Sequence, residues 1–220
     1  MKWRGPIVGP VVKLVACLVA CLMSGWASAH PMDEMVQAAY LKLEPTGLEL
    51  ELDLTPGELV APRMLTLIDQ NRNGQLEPTE VRAYAGRVLG QLQVRSDGQT
   101  RPLKLISTNT PKIAAFMAGG GTIQILARTT WPERAGSHTL EFQNAHAPIR
   151  SGYLSNAFVQ SERLQMGRQS RNPDQTQYRL EYDLERAAPV LNLSEFLRWW
   201  PLLLVAVALA IVVTFRWSLL

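Results

Sequence analysis

Leu48, Glu49, Leu50, Glu51, Leu52, Asp53 and Leu54 alternate strictly, one set apolar and the other acidic. A period of two belongs to a strand with one buried face, so the run predicts a strand over 48–54. An apolar-rich run at 36–43 precedes it, and Pro45, Thr46 and Gly47 supply turn residues between the two, which predicts a hairpin. The period then lengthens. Met64, Leu65 and Ile68, followed by Val81, Tyr84, Ala85 and Val88, recur at spacings of three and four, as on two amphipathic helices. Alternation returns with strands expected at 92–96, 103–106, 122–130, 138–143, 153–160 and 178–184, and with Asp97 and Gly98 as a turn. The polar stretch 163–177, holding Gly167, Asn172, Pro173 and Asp174, predicts a loop.

These elements predict a mainly β domain with inserted α structure: an antiparallel sandwich, immunoglobulin-like in general form, with the helix pair set between its second and third strands. Gly119, Gly120 and Gly121 lead into a strand, with no following Lys and Ser or Thr on a helix, so they predict a flexible turn and no phosphate loop.

Between the two helical patterns lie Asp69, Gln70, Asn71, Arg72, Asn73, Gly74, Gln75, Leu76, Glu77, Pro78, Thr79 and Glu80. Oxygen-bearing side chains stand at the first, third and fifth places, Gly at the sixth and Glu at the twelfth. Calcium is a hard cation that takes six to eight oxygens, and this spacing supplies them in a tight turn. With its flanking helices the segment 58–89 resembles an EF-hand; a plain Asn/Gly-rich turn between helices is the other reading. The resemblance implies Ca2+ bound by the side chains of Asp69, Asn71 and Asn73, the backbone carbonyl of Gln75 and both oxygens of Glu80. Glu77 would act directly or through a water. Only Asp69, Glu77 and Glu80 bring negative charge, which implies modest affinity, on the order of 10⁻⁴ to 10⁻³ M. No second such loop occurs in the sequence, so the resemblance implies a local structural clamp or a dimer, with Leu76 as the residue that would reach a partner loop.

Composition adds location. The net charge of +3 among 220 residues is small and scattered, and no Lys/Arg run with interleaved aromatics occurs, so nucleic acid is not an expected partner. Lys2, Arg4 and Lys13, an apolar run at 14–23 and the Ala27-Ser28-Ala29 site read as a secretory signal over 1–29. Both cysteines, Cys17 and Cys21, fall inside it, so cleavage after Ala29 leaves no thiol and no disulfide. The stretches 14–17 and 18–21 also resemble bacterial lipoboxes, so lipoprotein processing stays open. The extracytoplasmic domain is then 30–184, with 185–198 as linker. At 199–216 an apolar run, without charge through Phe215, opens on Trp199 and Trp200 and closes on Arg216 and Trp217, as suits one transmembrane helix; a buried core helix is the other reading. Together these features predict a single-pass protein of the bacterial inner membrane with its bulk in the periplasm.

No HExxH, GxSxG or nucleophile elbow is present, and catalysis is not expected. Glu49, Glu51 and Asp53 read as a solvated strand face. His30 would be the first residue after cleavage, where its α-amino nitrogen and imidazole can chelate Cu, Ni or Co. A mature N-terminal histidine on such a domain resembles the copper-carrying CopC-like proteins. The His30-Pro31 start is also similar to extracytoplasmic N-terminal domains of HupE/UreJ-type and NicO-type nickel/cobalt permeases. That likeness implies a transition-metal carrier or permease accessory, with His138 or His146 and Asp33 or Glu34 completing the site.

Overall fold

A computed structural model describes residues 32–187. The expected signal at 1–29, His30 and the apolar run at 199–216 lie outside the described residues, as does most of the expected linker. No helix among the described residues is long and apolar enough to cross a membrane. By contacts the chain divides after Glu185, and nearly all of the described residues belong to the first unit.

The described part of this unit is mainly β, with few helices. Its elements in order are β1 (Met35–Glu44), β2 (Gly47–Pro56), α1 (Ala61–Ile68), α2 (Pro78–Leu89), β3 (Leu92–Ser96), β4 (Gln99–Arg101), β5 (Lys104–Asn109), α3 (Ile113–Met117), β6 (Ile123–Thr130), β7 (Gly136–Asn144), β8 (Ser151–Val159), β9 (Leu164–Arg171) and β10 (Gln177–Leu184). Two five-stranded sheets form, ordered β5-β6-β2-β1-β8 and β4-β3-β7-β10-β9. Their inward side chains share one hydrophobic cluster.

The alternating runs become the central strands for the reason their period suggests. Leu48, Leu50, Leu52 and Leu54 of β2, with Leu41 and Leu43 of β1, are fully buried, and the two strands pair antiparallel from Glu44 opposite Gly47 to Met35 opposite Pro56. Tyr178, Leu180, Tyr182 and Leu184 do the same work on β10. On the half-buried polar side of β2, Lys42 reaches Glu49 at 3.4 Å and Glu51 at 3.0 Å, and Arg128 reaches Glu49 at 3.8 Å and Glu44 of β1 at 2.9 Å. The Glu51 hydrogen bond is the main reason the Lys42 ammonium titrates above its ordinary range.

Three features depart from the sequence expectations. The sandwich is not purely antiparallel, because β8 runs parallel to β1, Met35 opposite Ser151 through Leu43 opposite Val159. A parallel neighbour is reached only by a long crossover, and here the chain passes through most of the domain before β8 arrives. The expected loop at 163–177 contains β9, whose side chains are exposed after Leu164; backbone pairing with β10 holds it. A short helix, α3, precedes the glycine turn, burying Phe116.

Candidate metal site

The two helices between β2 and β3 join the same core. α1 has Pro62 in its first turn and buries Ala61, Met64 and Ile68; α2 starts at Pro78 and buries Val81, Tyr84, Ala85, Val88 and Leu89. Proline fits there because the first-turn N–H has no helical partner. Arg87 of α2 donates to the Leu67 carbonyl at 2.9 Å, tying the end of α1 to its neighbour. Leu76, in the middle of the connecting loop, is 8 % exposed and packs into this chain's own core rather than standing free for a partner loop.

The loop turns inward on its own oxygens. Asp69 accepts the Asn73 N–H at 3.1 Å on one carboxylate oxygen and the Gly74 N–H at 2.8 Å on the other. Asn71 Oδ1 accepts the Asn73 N–H at 2.9 Å, and Asn73 Oδ1 accepts the Gln75 N–H at 2.8 Å. Such side-chain-to-backbone bonds bend the chain around the carboxamide oxygens. Two left-handed residues complete the turn, Arg72 at φ 60° and Gly74 at φ 74°. Glycine adopts that conformation without the strain a Cβ brings.

Glu80 sits on the first turn of α2, 9 % exposed. Its Oε1 accepts the N–H groups of Gln70 at 2.8 Å and Asn71 at 3.0 Å. Its Oε2 is buried and has no partner. An ionised carboxylate oxygen removed from water without a donor or cation is costly, so this atom marks where a positive group would fit.

Glu77 does something the spacing alone does not indicate. It occupies the N-cap position of α2 yet makes no capping bond. Its carboxylate instead accepts Asn71 Nδ2 at 3.2 Å and Asn73 Nδ2 at 2.8 Å. One anion thereby orients both carboxamides, which aspartates at those two places would not permit.

Of the residues expected to bind metal, Asp69, Asn71, Asn73, Glu77 and Glu80 are thus linked in one hydrogen-bonded loop, and Gln75 enters it through its N–H. No three His, Cys, Asp or Glu side chains among the described residues converge on a point that could hold an ion. The loop's set is mixed, carboxylates with amides and a carbonyl, which is oxygen chemistry suited to a hard cation.

The residues considered for a transition metal are engaged elsewhere. Asp33 and Glu34 both bind Arg150, at 3.0 and 2.7 Å. His138 faces Asp97 at 2.8 Å through Nδ1 and the Arg134 carbonyl at 2.7 Å through Nε2. Burial works against the Asp97 carboxylate, yet the Thr139 N–H and His138 bring its pKa below the ordinary value. His146 is 3 % exposed, with Nδ1 at 2.9 Å from Gln91 Oε1 and Nε2 at 2.8 Å from the Tyr84 hydroxyl. Since an amide oxygen only accepts, Nδ1 carries the proton and Nε2 accepts from Tyr84, so both nitrogens of the neutral ring are occupied. Burial lowers the His146 pKa to about 4. Around it, Gln37 donates to the His146 carbonyl at 2.7 Å and accepts from Asn144 at 2.9 Å, a buried polar network that sequence periodicity does not reveal.

No protein-family model, curated protein or solved structure matches the chain.

Proposed function

We propose that this chain is an extracytoplasmic calcium-binding protein, an immunoglobulin-like sandwich carrying one EF-hand and anchored to the bacterial inner membrane by 199–216. The observation that carries the reading is Glu80: one carboxylate oxygen takes two loop N–H groups while the other is buried and unpartnered. A calcium ion supplies the missing positive partner. Asp69, Asn71 and Asn73 would hold it with Glu80 and the Gln75 carbonyl.

The role is binding or structural, without catalysis. Because α1 and α2 share the core of both sheets, an ion that joins Asp69 at the end of α1 to Glu80 at the start of α2 fastens the helix pair to the sandwich. Stabilisation then follows mass action, growing as calcium exceeds its dissociation constant. Affinity on the order of 10⁻⁴ to 10⁻³ M suits an extracytoplasmic space and a site with two amides among its ligands.

Calorimetric titration of the detergent-purified protein with calcium chloride tests this. One calcium per chain is expected, abolished by Glu80→Gln, which keeps shape but removes the charge. Heat of binding unchanged in that variant, or none in the parent protein at millimolar calcium, sinks the reading.

A further inference from the structure

Of the asparagines in the sequence, Asn73 alone is followed by glycine. That order matters chemically, because a backbone nitrogen can attack the carboxamide carbon of the residue before it, and a side chain on the attacking residue obstructs the approach. Glycine brings none. Asn73 and Gly74 are both exposed, and a Cβ placed at Gly74 would meet nothing within 4 Å, so the space around this peptide bond is open. Asn71, also exposed, is followed by the long side chain of Arg72.

Each atom that changes in such an attack already has a partner. The Gly74 N–H, which must lose its proton, points at Asp69 Oδ2 across 2.8 Å. Asn73 Oδ1, where negative charge develops, accepts the Gln75 N–H at 2.8 Å. An asparagine oxygen bonded to the N–H two residues on turns its carboxamide over the intervening peptide, here the one that joins Asn73 to Gly74. Asn73 Nδ2, which must depart, donates to Glu77 Oε1 at 2.8 Å. A base on the nucleophile, a donor on the oxygen and a carboxylate at the leaving nitrogen thus surround one peptide bond. Nucleophile and target belong to adjacent residues, so no encounter between molecules is needed to bring them together.

We propose that Asn73 is a self-modifying site, whose side-chain amide is lost as ammonia so that the residue becomes aspartate or isoaspartate. The Gly74 nitrogen bonds to Asn73 Cγ as its proton passes to Asp69. The Cγ–Nδ2 bond then breaks, that proton moves on to the departing nitrogen, and ammonia leaves behind a five-membered succinimide. Solvent water opens the ring at one of two carbonyls. Addition at Cγ breaks its bond to the Gly74 nitrogen and gives aspartate. Addition at the backbone carbonyl carbon of residue 73 breaks the original peptide link and gives isoaspartate, whose chain runs through the former side chain. One water is consumed and one ammonia released, with no oxidation or reduction. The first product adds a carboxylate to those of Asp69, Glu77 and Glu80; the second inserts an extra carbon into the turn. The modification therefore resets the charge or the shape of the loop.

The test incubates the detergent-purified full chain with chelator at mildly alkaline pH and follows each asparagine by peptide mass mapping. Isoaspartate is detected by enzymatic methyl transfer to its free α-carboxylate. Asn73 is expected to gain the mass of an amide-to-acid exchange, in two chromatographic forms, while Asn71 keeps its amide. Asp69→Asn retains an acceptor for the Gly74 N–H but not the base, and is expected to slow the conversion about a hundredfold, the low end for a positioned proton acceptor. Glu77→Gln, at a half-buried side chain outside the core, is expected to slow it severalfold and serves where Asp69→Asn unfolds; melting transitions show which variants are folded. The proposal is overturned if Asn73 of the folded chain converts no faster than in the urea-unfolded chain, or if the folded variants convert at the parent's rate. Chelator is present throughout, so the outcome stands apart from the calcium reading.

Discussion

The Tyr84 hydroxyl donates to Nε2 of His146 across 2.8 Å, joining the second helix of the loop unit to the segment between β7 and β8. Tyr84 is 3 % exposed and His146 likewise, so neither group has water in exchange. Tyr84→Phe removes the donor and leaves a buried acceptor unsatisfied. The expected loss is about 1 to 3 kcal/mol, read from urea unfolding as a lower midpoint with an unchanged slope.

Acid should act through the same histidine. Its pKa falls from the ordinary 6.5 to about 4 because burial disfavours the charged ring. The unfolded chain therefore takes up a proton near pH 6.5 that the folded chain refuses until about pH 4. The group's contribution is complete above pH 6.5 and is lost as pH falls through that window, to a total of up to about 3 kcal/mol. A His146→Phe variant, less stable at neutral pH, is expected to show a flatter decline between pH 6.5 and 4 than the parent, measured by denaturant titration at each pH.

Glu77 and the two carboxamides give a prediction with opposite signs in two conditions. Asn71→Asp deletes the donor to Glu77 and sets carboxylate near carboxylate. With chelator present, stability is expected to fall by about 0.5 to 1 kcal/mol. With millimolar calcium the added charge favours the ion, so the calcium-induced rise in melting temperature should exceed that of the parent. Scanning calorimetry in the two buffers reads both effects; a smaller calcium-induced rise would exclude the arrangement.

Two glycines separate backbone strain from space. A Cβ at Gly74 or at Gly86 would meet nothing within 4 Å, but Gly74 has φ +74° while Gly86 is helical. Gly74→Ala is expected to cost about 1 to 2 kcal/mol, whereas Gly86→Ala on α2 should stabilise by about 0.5 to 1 kcal/mol. Melting temperatures moving in opposite directions check the pair.

Local pattern made part of this molecule legible. The leucines of β2, the turn at Pro45 to Gly47 and the apolar stripes of α1 and α2 each depend on neighbours within a few residues, and their periods emerge directly. The stretch from Asp69 to Glu80 was legible as a tight turn between two helices, through Gly74 and the apolar stripes on either side. What the spacing did not carry was that Glu77 would hold Asn71 and Asn73 or that Leu76 would turn into the core. β9 was hidden because an edge strand exposed on nearly all its side chains has no apolar alternation to show. The partnership of β1 with β8, and the network of Gln37, Asn144 and His146, join residues more than a hundred positions apart. Nothing in either segment alone announces them.

That distant partnership sets an order of assembly. Met35 to Glu44 can zip with the adjoining hairpin arm as soon as both have left the ribosome, but its other flank waits for residues 151–159. Until then a long interior strand has one side open, and contacts so far apart in sequence form slowly. A chain interrupted before residue 159 would leave that flank permanently bare, and stalled or truncated products should be the sticky ones.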